Sequence, residues 1–204
     1  MFSGSTKQWQ LGNRDLLGPQ STAPIRDLLR QSTAHAHAVV DQRFGALIGD
    51  DISRYAEFLL ASAEAILPLE DALTQAGASR ILPDWGARKR AQALRDDLDT
   101  IGEKPQRRSA VDGIGGEAHQ FGMLYVLEGS RLGARILLRG AQASADPRVR
   151  AATRYLRHGE GQRFWPTFLS RLESSDAVRS APSETVAGAQ AAFALFAGAG
   201  DGAR

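Results

Sequence analysis

His37 is the histidine whose position best suits a ligand. It follows Arg30 by seven residues, so the two side chains share one stripe of a helix, which also includes Thr33. His35 lies about 160° away around the helix and is expected to face solvent. An imidazole that binds iron, and a guanidinium two turns away that binds a carboxylate, could address the centre and the edge of one porphyrin. The competing interpretation is a structural, hydrogen-bonded histidine.

Four glycines lie on one face of a second predicted helix. Gly122, Gly129, Gly133 and Gly140 are separated by steps of seven, four and seven residues, which keeps them within a stripe about 40° wide. Each interior glycine costs about 1 kcal/mol relative to alanine, so four of them need a physical reason. Either another helix packs closely on this bare backbone, or a planar ligand lies against it. The spacing alone leaves both interpretations open.

Helices must position these residues, because apolar side chains recur at helical spacing along most of the chain. No segment alternates apolar and polar residues between hairpin turns. The sequence therefore predicts an all-α, single-domain helical bundle over residues 24–198, with a flexible extension over 1–23 and a flexible tail over 199–204. The predicted helices cover residues 25–44, 51–75, 87–101, 116–143, 147–173 and 183–197, and Pro68 is expected to kink or divide the second of them.

The composition excludes several classes of function. The 204 residues include no cysteine, which rules out a cysteine nucleophile, a thiolate metal site and a disulfide scaffold. A formal net charge of +2 gives no indication of a nucleic acid or a membrane surface as partner. No segment approaches the ~20 apolar residues that cross a bilayer, and the N-terminus does not resemble a signal peptide, so we expect a cytoplasmic protein.

Two short basic clusters remain. The runs Arg88-Lys89-Arg90 and Arg107-Arg108 could dock an acidic partner protein, although solvated surfaces are the favoured interpretation.

Several segments resemble a known family, the biliverdin-producing heme oxygenases, and in particular the bacterial type associated with bacteriophytochromes. The pattern Leu29-Arg30-x-x-Thr33-x-x-x-His37-x-x-x-Asp41 is similar to the proximal helix of that family. The segment LYVLEGSRLGA, residues 124–134, is similar to its distal helix, and the glycines make this match fairly specific. Residues 155–172 and 187–196 resemble its last two helices, so that the resemblance covers about residues 25–197.

The resemblance implies a fold in which heme is sandwiched between a proximal and a distal helix. His37 would be the proximal iron ligand, while Gly129, Ser130 and Gly133 would form the distal, catalytic side. Asp41 would support the proximal side or would be a solvated carboxylate. The remaining heme contacts implied by the resemblance are Arg30, Thr33, Tyr125 and Phe168, with Arg163 or Arg171 completing the binding of the propionates.

The resemblance also implies the reaction. Heme b would be both cofactor and substrate, and O2 would cleave it to biliverdin, with the IXα isomer expected, together with carbon monoxide and ferrous iron. A separate ferredoxin or reductase would supply electrons, because Gly113-Ile114-Gly115-Gly116 lacks the strand–helix context of a nucleotide-binding loop. A bacteriophytochrome could receive the product.

Two departures from the family pattern keep an alternative open. Ser130 stands where many relatives have a carboxylate that organises water, and Ala134 stands where many have a further glycine. The alternative is a protein of the same fold that holds heme or a bilin without turning it over. A thiaminase-like helical enzyme is disfavoured, because the chain has no cysteine.

Overall fold

The computed structural model describes most of the chain. The described residues are 25–45, 51–106, 110–111 and 113–199. The extension expected over residues 1–23, the basic pair Arg107-Arg108 and nearly all of the expected tail lie outside them.

The described residues contain helices and no strand, as the all-α prediction required. Several helices are only four or five residues long, and a 3₁₀ turn at Ala78–Arg80 follows the second helix. The ten α-helices of the described segments are α1 (Ile25–Gly45), α2 (Ile52–Gln75), α3 (Trp85–Arg88), α4 (Ala91–Ile101), α5 (Glu117–Ala143), α6 (Pro147–Ala151), α7 (Arg154–Arg157), α8 (Phe164–Ser174), α9 (Asp176–Ser180) and α10 (Pro182–Gly198). None of these helices is both long enough and apolar enough to cross a membrane.

The four longest helices agree with the sequence predictions. The helices α1, α2, α5 and α10 begin and end within two residues of their predicted bounds. Asp51 caps α2 by accepting a hydrogen bond from the Ser53 backbone N–H at 2.9 Å. Pro68 was expected to kink or divide this helix, and it does not divide it, because α2 continues through Pro68 to Gln75.

Two predicted helices are divided in the structure. The prediction of one helix over 147–173 is wrong, since α6, α7 and α8 occupy that segment. Gly159 and Gly161 have φ angles of 80° and 77° between α7 and α8, a left-handed conformation that ends a helix. The predicted helix over 87–101 is divided into α3 and α4. Buried Glu70 stabilises the break, because its carboxylate accepts the backbone N–H groups of Arg90 and Ala91 at 2.8 and 3.0 Å.

The helix α10 lies against α5 at two glycines. A Cβ atom on Gly122 would lie 1.9 Å from the Thr185 carbonyl oxygen, and one on Gly188 would lie 2.0 Å from the His119 carbonyl oxygen. The two backbones are therefore in direct contact, which only the absence of side chains permits.

The helix α10 also packs against α1, through aromatic side chains. Phe193 makes an edge-to-face contact with His37, with ring centroids 5.8 Å apart, and Phe196 contacts Phe44 at 6.2 Å. Both α1 and α5 thus rest on α10, whereas they make little direct contact with each other. We call the region between α1 and the second half of α5 the cleft.

Candidate functional site

The glycine stripe of α5 has two different environments. Gly122 is packed against α10, as described above. Beyond that crossing, the nearest neighbour of a Cβ atom on Gly129 would be the Trp165 ring at 3.6 Å, and one on Gly133 would have no other atom within 4 Å. Close helix packing explains the first glycine, and the second half of the stripe presents bare backbone to open space.

Large apolar side chains are exposed beside this bare backbone. Leu132 and Ile136 lie about 100° and 60° around α5 from Gly133, both on the same side of it, and they are 44% and 65% exposed. They are two of the three large hydrophobic side chains that are exposed in the described part of the chain. An exposed apolar patch next to an open cleft is typical of a ligand site.

Aromatic side chains close one end of the cleft. The Trp165 ring of α8 lies 5.5 Å from the Tyr125 ring and 5.8 Å from the Phe168 ring, measured between centroids. Phe168, expected to contact the ligand, has no exposed surface and also packs on Phe121. Phe168 therefore supports Trp165 from the core. Trp165 is the aromatic residue at the cleft, and no role at the site was predicted for it.

His37 lies on α1 with most of its side chain exposed. Its Nδ1 atom is 2.9 Å from an Asp41 carboxylate oxygen one turn later, and Phe193 supports its ring from below. A hydrogen bond from Nδ1 to the carboxylate fixes the tautomer in which Nε2 carries the lone pair that a metal ion binds. Asp41 thus contacts the histidine, while its own side chain is 67% exposed, so both interpretations of this carboxylate still fit.

Basic residues of α1 lie near the Tyr125 hydroxyl. Burial raises the pKa of Tyr125, while the positive charges of Arg26 and then Arg30 act in the opposite direction. Arg30 is exposed and lies 3.4 Å from Asp27. Arg26 was not among the residues predicted at the site, although it precedes Arg30 by one turn on the same face of the helix. These residues form a positively charged rim at the Tyr125 end of the cleft.

Two hydroxyl groups predicted at the site are bonded to their own helices. The buried Thr33 hydroxyl donates to the Leu29 carbonyl oxygen at 2.8 Å, and the Ser130 hydroxyl donates to the Leu127 carbonyl oxygen at 2.8 Å. Neither proton is therefore directed at the cleft in this structure.

Arg163 and Arg171 were the candidates from this region for binding the propionates. Arg171 lies about 120° around α8 from Trp165, and Arg163 directly precedes that helix. The charge of Arg171 instead acts on Asp84, whose pKa is lowered mainly by its hydrogen bond from Arg88. Among the described contacts neither arginine touches Tyr125 or Trp165, so their role at the propionates stays a prediction.

The two arginines of the basic run at residues 88–90 are buried. Arg88 and Arg90 are each only 1% exposed, so the interpretation of this run as a solvated surface is wrong. The Arg90 side chain donates to the Leu127 carbonyl oxygen at 3.0 Å and lies over the Tyr155 ring. A buried guanidinium needs a nearby carboxylate or carbonyl, and a short basic run in a sequence does not reveal one.

Arg88 belongs to a buried cluster behind the cleft. Its guanidinium donates to Glu128 of α5 at 2.9 Å, and to the Phe164 carbonyl oxygen and the Thr167 hydroxyl of α8 at 2.9 and 2.8 Å. Glu128 also accepts two hydrogen bonds from Arg131, at 3.1 and 3.2 Å. These bonds connect α3, α5 and α8 through charged groups that are almost fully removed from water.

His158 and the Arg88 backbone complete the surroundings of Arg131. The Arg131 guanidinium donates to the Arg88 carbonyl oxygen and lies 3.0 Å from Nδ1 of His158. Burial, followed by the charges of Arg131 and Arg90, lowers the pKa of His158 to about 4. The imidazole is therefore neutral near pH 7 and accepts this hydrogen bond.

The donor set at the cleft fits a metal that an organic macrocycle carries. The described residues contain no cluster of three or more His, Asp or Glu side chains that could hold a metal ion by themselves. One imidazole on α1, a bare helix face on α5 and a cationic rim would suit a flat, apolar ligand that has an anionic edge and carries a metal ion for the imidazole to bind.

Comparisons with known proteins agree with this chemistry. The family model described as heme oxygenase matches residues 79–199. A curated heme oxygenase from Xanthomonas campestris pv. campestris (strain 8004) is 31% identical over 146 residues, which cover 72% of this chain and 88% of that protein. A solved structure of the NO- and CO-bound heme oxygenase from Neisseria meningitidis has a TM-score of 0.69 and 22% identity, over 85% of this chain and 88% of that one. The solved structure shows a shared fold.

Proposed function

The chain belongs to the heme oxygenase family, and from this premise we propose that it binds heme in the cleft between α1 and α5 and cleaves it to biliverdin, carbon monoxide and ferrous iron. The IXα isomer is the expected product. The observation that carries the proposal is the open half of the glycine stripe, where a Cβ atom on Gly133 would meet nothing within 4 Å. Heme, when bound, supplies the iron at which O2 is reduced and the ring that is oxidised.

On the proximal side, His37 holds the substrate through Nε2. The 2.9 Å contact between Nδ1 and Asp41 supports this role, because it directs the other nitrogen toward the ligand. The edge-to-face contact with Phe193 limits rotation of the imidazole ring. Asp41 acts through the histidine and is therefore a positioning residue.

On the distal side, the backbone at Gly129 and Gly133 lies against the substrate. Neither residue carries a side chain that could supply a proton or a charge, so a polar distal side chain of the kind that promotes O–O cleavage is absent from these two positions. Ser130 donates its proton to the Leu127 carbonyl oxygen, which leaves the hydroxyl oxygen able to accept a hydrogen bond from water. We therefore assign proton delivery to ordered water held by Ser130 and the helix backbone.

At the rim, Arg30, Arg26 and Tyr125 hold the anionic edge of the substrate. Two guanidinium groups beside a phenol hydroxyl provide charge-assisted hydrogen bonds to carboxylates. The opposing effects of Arg26 and Arg30 on the pKa of Tyr125 support their proximity to it. Because these contacts set the rotation of heme in its own plane, they select the meso carbon that reacts.

Electrons come from a separate ferredoxin or reductase in this proposal. The segment Gly113–Gly116 leads directly into α5, and no strand precedes it in the described residues, so it lacks the context of a nucleotide-binding loop. The similarity to heme oxygenases associated with bacteriophytochromes supports such a photoreceptor as the recipient of biliverdin.

The test combines a heme titration with a turnover assay. Purified protein is titrated with hemin, and ascorbate or a reductase system is then added in air while the absorption spectrum is recorded. The wild type is expected to bind one heme and convert its Soret band into the spectrum of biliverdin. A stable heme spectrum without conversion would contradict catalysis and favour a non-catalytic heme- or bilin-binding protein.

Two matched variants test the proximal ligand. His37→Ala is expected to abolish turnover, whereas His35→Ala, two residues away on an exposed face of the same helix, is expected to leave it unchanged. Equal losses in the two variants would refute the assignment of His37.

A further inference from the structure

The buried cluster of Arg88, Glu128 and Arg131 lies behind the cleft and has no part in the contacts assigned above. Glu128 and Arg88 are each 1% exposed. Each carboxylate oxygen of Glu128 accepts at least one guanidinium hydrogen bond, and every nitrogen of the Arg88 guanidinium donates to a neighbour. The cluster is therefore a satisfied network with several fixed directions.

Two residues of the cluster are sequence neighbours of the glycines at the cleft. Glu128 immediately precedes Gly129, and Arg131 follows Ser130, so the two side chains bracket the residues of the distal face. Both side chains point away from the glycine stripe, by about 100° and 160° around α5. They can therefore affect the cleft only through the position of the helix backbone.

Arg88 reaches the opposite wall of the same corner. It donates to the carbonyl oxygen of Phe164, the residue before Trp165, and to the hydroxyl of Thr167. Trp165 is the side chain nearest to the face of Gly129. One guanidinium thus holds both the backbone beside Gly129, through Glu128, and the start of the helix that carries Trp165.

Stability alone does not require such a network. Replacing a buried ion pair with well-packed apolar residues of similar volume is often neutral or stabilising. A guanidinium fork with bonds to two helices, by contrast, fixes their relative distance and orientation, because each bond weakens steeply when its geometry changes. The cations lie over the Phe164 ring, at 4.6 Å from Arg88 and 5.1 Å from Arg131, which adds a further contact to the start of α8.

We propose that Arg88 and Glu128 are positioning residues, which fix the gap between the Gly129 backbone and the Trp165 ring and so determine how the substrate lies in the cleft. This inference rests on the proposed function. The gap limits the tilt and rotation of a planar ligand between α1 and α5, and an error of about 1 Å in such a position changes reactivity strongly. Together with the rim residues, the cluster therefore controls which meso carbon reacts, and it sets how closely the distal backbone approaches that carbon.

Glu128→Gln is the direct test, since it keeps the size of the side chain and removes its charge. The control is Asp97→Asn, at another fully buried carboxylate, which accepts the backbone N–H groups of Arg154 and Tyr155 at 3.0 and 2.8 Å. Thr167→Val serves as a milder variant, because it removes only one bond between Arg88 and α8.

Two readouts separate positioning from stability. The first is the ratio of biliverdin isomers after turnover, and the second is the C–O stretching frequency of the ferrous heme complex with carbon monoxide, which requires no turnover. We expect Glu128→Gln to change the isomer ratio about twofold or more and to shift or broaden the stretching band. Thr167→Val is expected to change both in the same direction by less. Asp97→Asn is expected to lower the melting temperature and leave both unchanged.

The outcomes distinguish the inference from the proposed function. If the wild type binds heme and forms no biliverdin, the proposed reaction fails, and the stretching frequency of the variants still decides whether the cluster positions the ligand. If Glu128→Gln loses stability while both readouts match the wild type, or if Asp97→Asn changes them equally, the positioning role is refuted. If Glu128→Gln does not fold, unchanged readouts in Thr167→Val refute it. A wild type that binds no heme overturns both proposals.

Discussion

Gly122 and Gly133 lie on the same face of α5, but Gly122 is packed against α10 and Gly133 faces open space. The same substitution should therefore have opposite effects on stability at the two positions. A methyl group on Gly122 would lie 1.9 Å from the Thr185 carbonyl oxygen and 2.7 Å from the Ala189 backbone nitrogen. A methyl group on Gly133 would meet nothing within 4 Å. The comparison of Gly122→Ala with Gly133→Ala therefore tests the division of the stripe into a packed half and an open half.

The expected magnitudes follow from these distances. Gly122→Ala must displace α10 by about 1.5 Å to restore van der Waals contact, and overpacking of this kind costs about 1–3 kcal/mol. The gain in helix propensity offsets about 1 kcal/mol of that cost, and the obstacle is backbone that cannot rotate away, so we expect a net loss near 2 kcal/mol. Gly133→Ala keeps the propensity gain alone and should stabilise the ligand-free protein by about 1 kcal/mol.

Thermal unfolding of the ligand-free protein measures both effects. For a chain of this size about 1 kcal/mol corresponds to 2–4 °C, so the melting temperature should fall by about 4–8 °C in Gly122→Ala and rise by about 2–4 °C in Gly133→Ala. Heme should reverse the sign at residue 133, because the methyl group then occupies space assigned to the ligand. Equal melting temperatures in the two variants, or a loss at Gly133 without heme, would refute the reasoning.

Four other predictions concern the site and its surroundings. Asp41→Asn should retain heme and raise the reduction potential of the heme modestly, because the exposed carboxylate no longer adds negative charge to the ligating imidazole. Potentiometric titration measures this potential, and an unchanged value would contradict a hydrogen bond between Asp41 and His37. Tyr125→Phe should broaden the distribution of biliverdin isomers, resolved by chromatography, whereas Arg171→Met on the other side of α8 should not. A bulky residue in place of Gly129 should block heme binding or change its products, and an unchanged yield of biliverdin would contradict the distal assignment. As the pH is lowered from 6.5 to about 4, the free energy of unfolding should fall, because His158 takes up a proton in the unfolded chain but not in the folded protein. Urea denaturation at several pH values measures this, and His158→Asn should flatten this part of the pH profile.

The sequence by itself was sufficient for the helices that carry the site. The periodicity of apolar residues is a local property, and it predicted α1, α2, α5 and α10 nearly to the residue. It also placed His37 seven residues after Arg30 and four glycines along one face, and the similarity to a family led from that pattern to the proposal of a heme site. The same local signals failed over residues 147–173, where two glycines with positive φ divide what the pattern predicted as one helix.

Tertiary structure alone decided what each face meets. The stripe contains Gly122 and Gly133 at equivalent angular positions, and only the place where α10 crosses α5 makes one a packing contact and the other an open surface. Arg88 looks like part of a solvated basic run until Glu128, forty residues later, supplies the carboxylate that allows its burial. Burial and ion pairing depend on groups far apart in the chain, whereas helical periodicity depends on neighbours, and this difference separates what the sequence could determine from what required the fold.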